Sequence, residues 1–138
     1  MQPHTESVQV SKQATKMTWT GRAMSALVIV FLLFDGAIKM VPMDIVITTG
    51  EQLGIPAELA RVLGTLTLLS TILYLIPQTS MLGAILLTGY LGGAIATHLR
   101  VGSPLLTHTL FGVYLGLLVW GGLYLREPRL RELIPFRR

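Results

Sequence analysis

Residues 81–99 read MLGAILLTGYLGGAIATHL, nineteen consecutive positions without an Asp, Glu, Lys or Arg. At 1.5 Å per residue a helix of that length reaches about 28 Å, close to the roughly 30 Å hydrocarbon core of a bilayer. The run therefore reads as a membrane-spanning helix. Working outward from it, residues 21–40, 57–76 and 105–125 have the same length and character. Over the 138 residues, 51% are hydrophobic and 13% charged, where a soluble domain carries about 25% charged. The expected fold is therefore all-α: an integral membrane four-helix bundle over residues 18–127, with an interfacial segment between spans one and two.

The links between the runs support that layout. Pro77-Gln78-Thr79-Ser80 is too short for anything but an antiparallel turn. In Arg100-Val101-Gly102-Ser103-Pro104, Gly102 is placed to end one helix, Ser103 to cap the next and Pro104 to begin it. Residues 41–56 form the longest link. Met43, Ile45, Val46, Ile47, Leu53 and Ile55 alternate there with polar residues, as in a short interfacial helix capping the bundle. Pro56 is expected at the first position of span two, with Glu58 in its first turn. Residues 1–17 are polar, mixed in sign and lack helical periodicity, so a disordered cytoplasmic tail is expected rather than a cleaved signal peptide. Residues 128–138 read as a basic cytoplasmic tail. The stripes Gly89-xxx-Gly93-xxx-Thr97 and Gly112-xxx-Gly116 read as helix-packing surfaces within the bundle, with a homodimer as the other use of such stripes.

The net charge of +4 comes from clusters at the two ends of the chain. Lys12, Lys16, Arg22, Arg126, Arg129, Arg131, Arg137 and Arg138 share one side of a four-span layout, against Lys39, Arg61 and Arg100 on the other. By the positive-inside rule both termini are cytoplasmic. Trp19, Tyr74, Trp120 and Tyr124 fall near the same ends, as an interfacial aromatic belt would. The basic residues thus read as topology signals and contacts to anionic lipid, not as a nucleic-acid surface. The chain has no cysteine, which excludes thiol catalysis, Cys-ligated metals and thioether-bound haem.

If successive spans alternate in direction, Asp35, Lys39, Arg61, His98, Arg100 and His108 gather at the non-cytoplasmic end. Asp35 and Lys39 are one turn apart on span one, and ionisable residues inside a span persist when they pair, face a cavity or act on something. Two readings stand side by side. One is a helix-locking ion pair, Asp35 with Lys39 or Arg61; the other is a ligand or proton site. Arg61 is suited to clamping a carboxylate or to snorkelling toward headgroups. His98 and His108 invite a haem or metal reading, but histidines at helix ends more often hydrogen-bond, and no metal site is expected. Tyr90 and Tyr114 either line the floor of a cavity or pack as aromatics with satisfied hydroxyls. The ligand-binding set expected from sequence is Asp35, Lys39, Arg61, Tyr90, His98, Arg100 and His108. No Ser–His–acid spacing, phosphate loop or HExxH motif assigns a catalytic residue.

Asp35-Gly36-xx-Lys39 at the end of span one, the run GYLGGAIATHLRVGSP over residues 89–104, THTLF at 107–111 and VWGGLYLREPRLR at 119–131 resemble the DoxX-like family of small bacterial membrane proteins. The resemblance covers residues 20–131. It implies a four-helix bundle in the bacterial inner membrane and an association with quinone-linked oxidoreductase complexes. Relatives that use cysteine pairs have no counterpart here, because cysteine is absent. The expected function is an accessory or subunit of such a system, with a polar pocket near the non-cytoplasmic helix ends holding a quinone or lipid head group. The partners are then the bilayer and oxidoreductase subunits. The alternatives are a lipid-modifying enzyme working through an acid–base pair, by architectural analogy with sterol-isomerase-like domains, and a purely structural membrane scaffold. A transporter is disfavoured, because the polar residues crowd one end.

Overall fold

The computed structural model describes residues 3–41 and 43–133. Six α-helices follow in order: α1 (Pro3–Met40), α2 (Asp44–Gln52), α3 (Leu59–Leu75), α4 (Ser80–Val101), α5 (Phe111–Arg126) and α6 (Pro128–Leu133). A 3-10 turn, Pro77–Thr79, joins α3 to α4, and a π-helical turn, Leu105–Thr109, leads into α5. No strand occurs among the described residues. Thr5–Met40, Pro77–Val101 and Leu105–Arg126 are each long and apolar enough to cross a membrane; α3 is apolar but shorter, at 17 residues.

The packing follows from where the small and polar residues sit. On α3 the buried face is Gly64, Thr67, Ser70, Thr71 and Tyr74, whereas Leu66, Leu69, Ile72 and Leu75 face outward. Water would favour the reverse arrangement. In lipid, helices associate through close contact and internal hydrogen bonds while aliphatic side chains meet the acyl chains. The buried hydroxyls are satisfied locally: Thr67 donates to the Leu63 carbonyl at 2.8 Å and Thr71 to that of Thr67 at 2.6 Å.

α1 packs on α3 and α5, α3 on α4, and α4 on α5. A glycine stands at each crossing. A Cβ on Gly36 would meet Leu68 at 2.8 Å, one on Gly64 would lie 2.9 Å from the Gly36 carbonyl, and one on Gly21 would lie 2.6 Å from that of Gly122. Gly83 abuts the Tyr74 backbone, and a Cβ on Gly112 would meet Ile95 at 2.8 Å. Between these contacts Val28, Leu32, Leu87, Leu91, Leu115, Val119 and Leu123 fill the core.

Tyr74 is wholly buried, so it belongs to the core and not to the expected aromatic belt. Its hydroxyl donates to the Val119 carbonyl at 2.7 Å and therefore accepts from Ser25 at 2.8 Å, tying α1, α3 and α5 together. Trp19 does project, at 62% exposure.

Several expected boundaries are corrected. The tail expected to be irregular over 1–17 is helical from Pro3, with residues 5–13 exposed. Periodicity missed it because periodicity reports packing, and residues 5–13 are exposed. Pro3 sits at the first turn, where its missing N–H costs nothing, and no glycine or proline follows until Gly21. Residues 128–133 form α6, with Leu130 buried and Arg131 donating to the Leu125 carbonyl at 3.1 Å. Arg137 and Arg138 lie outside the described residues. Span two begins at Leu59 and not at Pro56, because Leu59 and Ala60 donate to the Pro56 and Ala57 carbonyls in a tighter turn that precedes the helix. Gly102 ends α4 in the left-handed conformation (φ 73°), with Gly102 and Ser103 N–H returning to the Leu99 and His98 carbonyls. Ser103 does not cap the next helix; its hydroxyl turns back to His98.

Candidate functional site

α2 has no buried residue. It lies across the end of the molecule as a roof, and beneath it a cavity of about 530 Å³ opens between α1, α3 and α4. The wall from α1 is Asp35, Ile38 and Lys39; that from α3 and its lead-in includes Pro56, Ala57, Ala60 and Leu63. The roof is largely apolar, with Ile45, Val46, Leu53 and Ile55. The wall from α4 is Gly89, Tyr90, Gly93, Ala94, Thr97 and His98.

The stripe Gly89-xxx-Gly93-xxx-Thr97 therefore does not pack on a neighbouring helix within the chain. A Cβ added at Gly89 or Gly93 would meet nothing within 4 Å. Missing side-chain volume on α4 makes the space. The second stripe divides: Gly112 packs against α4, whereas Gly116 stands free.

At one wall, Lys39 Nζ donates to Asp35 Oδ2 at 2.7 Å and to the Tyr90 hydroxyl at 2.6 Å. The ammonium also lies 5.3 Å from the centroid of the Tyr90 ring. The one-turn spacing of Asp35 and Lys39 produces the pair, and the approach of α1 to α3 at Gly36 and Gly64 fixes its depth. Lys39 and Asp35 side chains remain 24% and 30% exposed, so the pair borders the cavity instead of being sealed in the core.

His98 shares a hydrogen bond through Nδ1 with the Ser103 hydroxyl at 3.0 Å. His108, in the π-helical turn, pairs its Nδ1 with Thr107 Oγ1 at 2.8 Å. The two rings meet edge to face, centroids 5.9 Å apart. The α4–α5 turn does bring them together, but only His98 lines the cavity.

Of the seven residues expected from sequence, Asp35, Lys39, Tyr90 and His98 line the space. Arg61, Arg100 and His108 do not. Arg61 is exposed near the start of α3, and Asp35 takes Lys39 as its partner in its place. Arg100 donates to the Leu53 carbonyl at 3.0 Å, so it grips the C-terminal end of the roof, where a cation also complements the helix dipole. Tyr114 is 43% exposed and donates to the Leu106 carbonyl at 3.1 Å. The glycine stripe and the roof were not among the expected site residues. The signal for the stripe was present, since Gly89 and Gly93 flank Tyr90 and precede His98 on one helix.

Fold and site together define a small helical membrane protein with a cavity between α1, α3 and α4, apolar in its roof and polar along one wall. Residues 23–122 match the DoxX-like family, and the chain belongs to it. No curated protein and no solved structure matches the chain.

Proposed function

We propose that α1, α3, α4 and α5 all cross the bacterial inner membrane as a four-helix bundle, with both termini cytoplasmic. The cavity beneath α2 then receives the head group of a quinone or a similarly sized lipid, and the protein serves as an accessory or subunit of a quinone-linked oxidoreductase system. α3 is compatible with spanning, since 17 residues is the lower end of the useful range. The observation that carries the reading is a cavity left open at Gly89 and Gly93 of α4 and bordered by Lys39, which bridges Asp35 of its own helix to Tyr90 of α4.

A space of about 530 Å³ suits a small-molecule ligand. Lys39, Tyr90 and His98 are the donors available to a ring carbonyl. A bound quinone would supply two-electron, two-proton chemistry; the side chains would hold its oxygens and exclude bulk water.

A second reading, the structural scaffold, has its own support. Lys39 is already satisfied by two partners, as a helix lock requires. Mass spectrometry of small molecules retained by the purified protein separates the two. The ligand reading expects one quinone or one defined lipid on wild type and its loss from Asp35→Asn/Tyr90→Phe. Bulk phospholipid alone on both proteins favours the scaffold.

A further inference from the structure

A second cleft, of about 270 Å³, lies toward the opposite end of α1. Arg22 opens it and sits 13 residues before Asp35, about 20 Å away along the helix. Its floor is apolar, from Ala26 and Ile29 of α1 and Leu75 of α3; Arg126, the last residue of α5, closes the other side.

Neither arginine is paired with a carboxylate among the described residues. Arg126 Nε is buried and has no hydrogen-bond partner, an expensive state for a charged donor at a membrane end. The position of this guanidinium is nevertheless fixed. It lies 5.2 Å from the centroid of the Tyr74 ring, which Ser25 and the Val119 carbonyl hold in turn. The Arg22 guanidinium is braced 5.3 Å from the Trp19 ring. Two arginines with no carboxylate partner among the described residues, each set against an aromatic ring, therefore border a slot of apolar side chains, and Val30 carries that slot onto the outer surface at 67% exposure.

We propose that this cleft is a specific site for an anionic phospholipid, its phosphate between Arg22 and Arg126 and one acyl chain along Ala26, Ile29 and Val30. Free phosphate would satisfy the guanidinium groups but leave the apolar slot unused, and it would not partition to the end of the bundle. The site is independent of the cavity under α2, at the other end of the same helix.

The test is native mass spectrometry of delipidated protein titrated with dioleoyl phosphatidylglycerol, dioleoyl phosphatidylcholine or inorganic phosphate. Wild type should retain one phosphatidylglycerol at least tenfold more tightly than phosphatidylcholine. Arg22→Gln and Arg126→Gln should each weaken that preference about fivefold. Arg129→Gln, an exposed basic residue at the same end but outside the cleft, should leave it unchanged. Arg22 is exposed, so its replacement reports even if Arg126→Gln fails to fold. Equal retention of the two lipids, loss of preference on Arg129→Gln as large as on Arg22→Gln, or inorganic phosphate competing at the affinity of the lipid would each overturn the proposal.

Discussion

Lys39 illustrates how one side chain supports both the fold and the proposed site. Its ammonium neutralises Asp35 within the last turns of α1 and reaches across to Tyr90 on α4. Lys39→Met would leave Asp35 without its cation, at a cost of about 2–3 kcal/mol for a carboxylate inside a span. The neutral pair Asp35→Asn/Lys39→Gln should recover most of that, as unfolding of wild type and the two variants in mild detergent would show. Tyr90→Phe removes a hydrogen bond to a charged group and should cost about 1.5–3 kcal/mol in the same assay. Spacing within one helix made Lys39 legible as a partner for Asp35 but left Arg61 beside it as the other choice, which the geometry resolves in favour of Lys39. Tyr90 as the third member was not, since it depends on how α4 is rotated against α1. The same limit applies to His98, whose partner Ser103 is set by the left-handed turn at Gly102.

At the scale of elements, the apolar runs were readable because bilayer thickness sets their length, and α1, α4 and α5 end within two residues of where those runs end. The polar ends were not readable in the same way. Pro3–Met17 is helical without an apolar face, and α6 is held by buried Leu130 and the Arg131 hydrogen bond to the Leu125 carbonyl. The glycines divide into two physical kinds that sequence does not distinguish. Gly83→Ala drives a methyl into the Tyr74 backbone and should destabilise the α3–α4 hairpin by about 1–3 kcal/mol. Gly93→Ala meets only the cavity and should gain about 0.5–1 kcal/mol from helix propensity. Comparing their thermal unfolding tests both assignments. Arg100→Met releases the end of α2, so amide exchange across Asp44–Gln52 should accelerate while that of α4 stays unchanged.

The molecule turns many of its leucine, isoleucine and valine side chains outward, and α3 keeps its glycine, serine and threonine within, an arrangement suited to lipid. Within that frame the polar residues at one end have two fates. Arg61 is exposed on α3 and Arg100 holds the roof, while Asp35, Lys39, Tyr90 and His98 border an apolar-roofed space. Composition and alternation of spans announced the crowded end. They carried no information about the empty volume, because a cavity is made by atoms that are missing from a particular face.

If this volume receives a ligand, filling it should abolish retention. Gly93→Leu should place its side chain in the cavity without touching backbone, and Gly116→Leu is the control, equally free of contact but outside the lining. Small molecules retained by wild type and by each variant, purified in parallel, would be identified and counted by mass spectrometry. Wild type and Gly116→Leu should each carry one defined quinone or lipid per chain, and Gly93→Leu should lose it with the fold intact. Equal retention by a folded Gly93→Leu protein would contradict ligand binding in this volume.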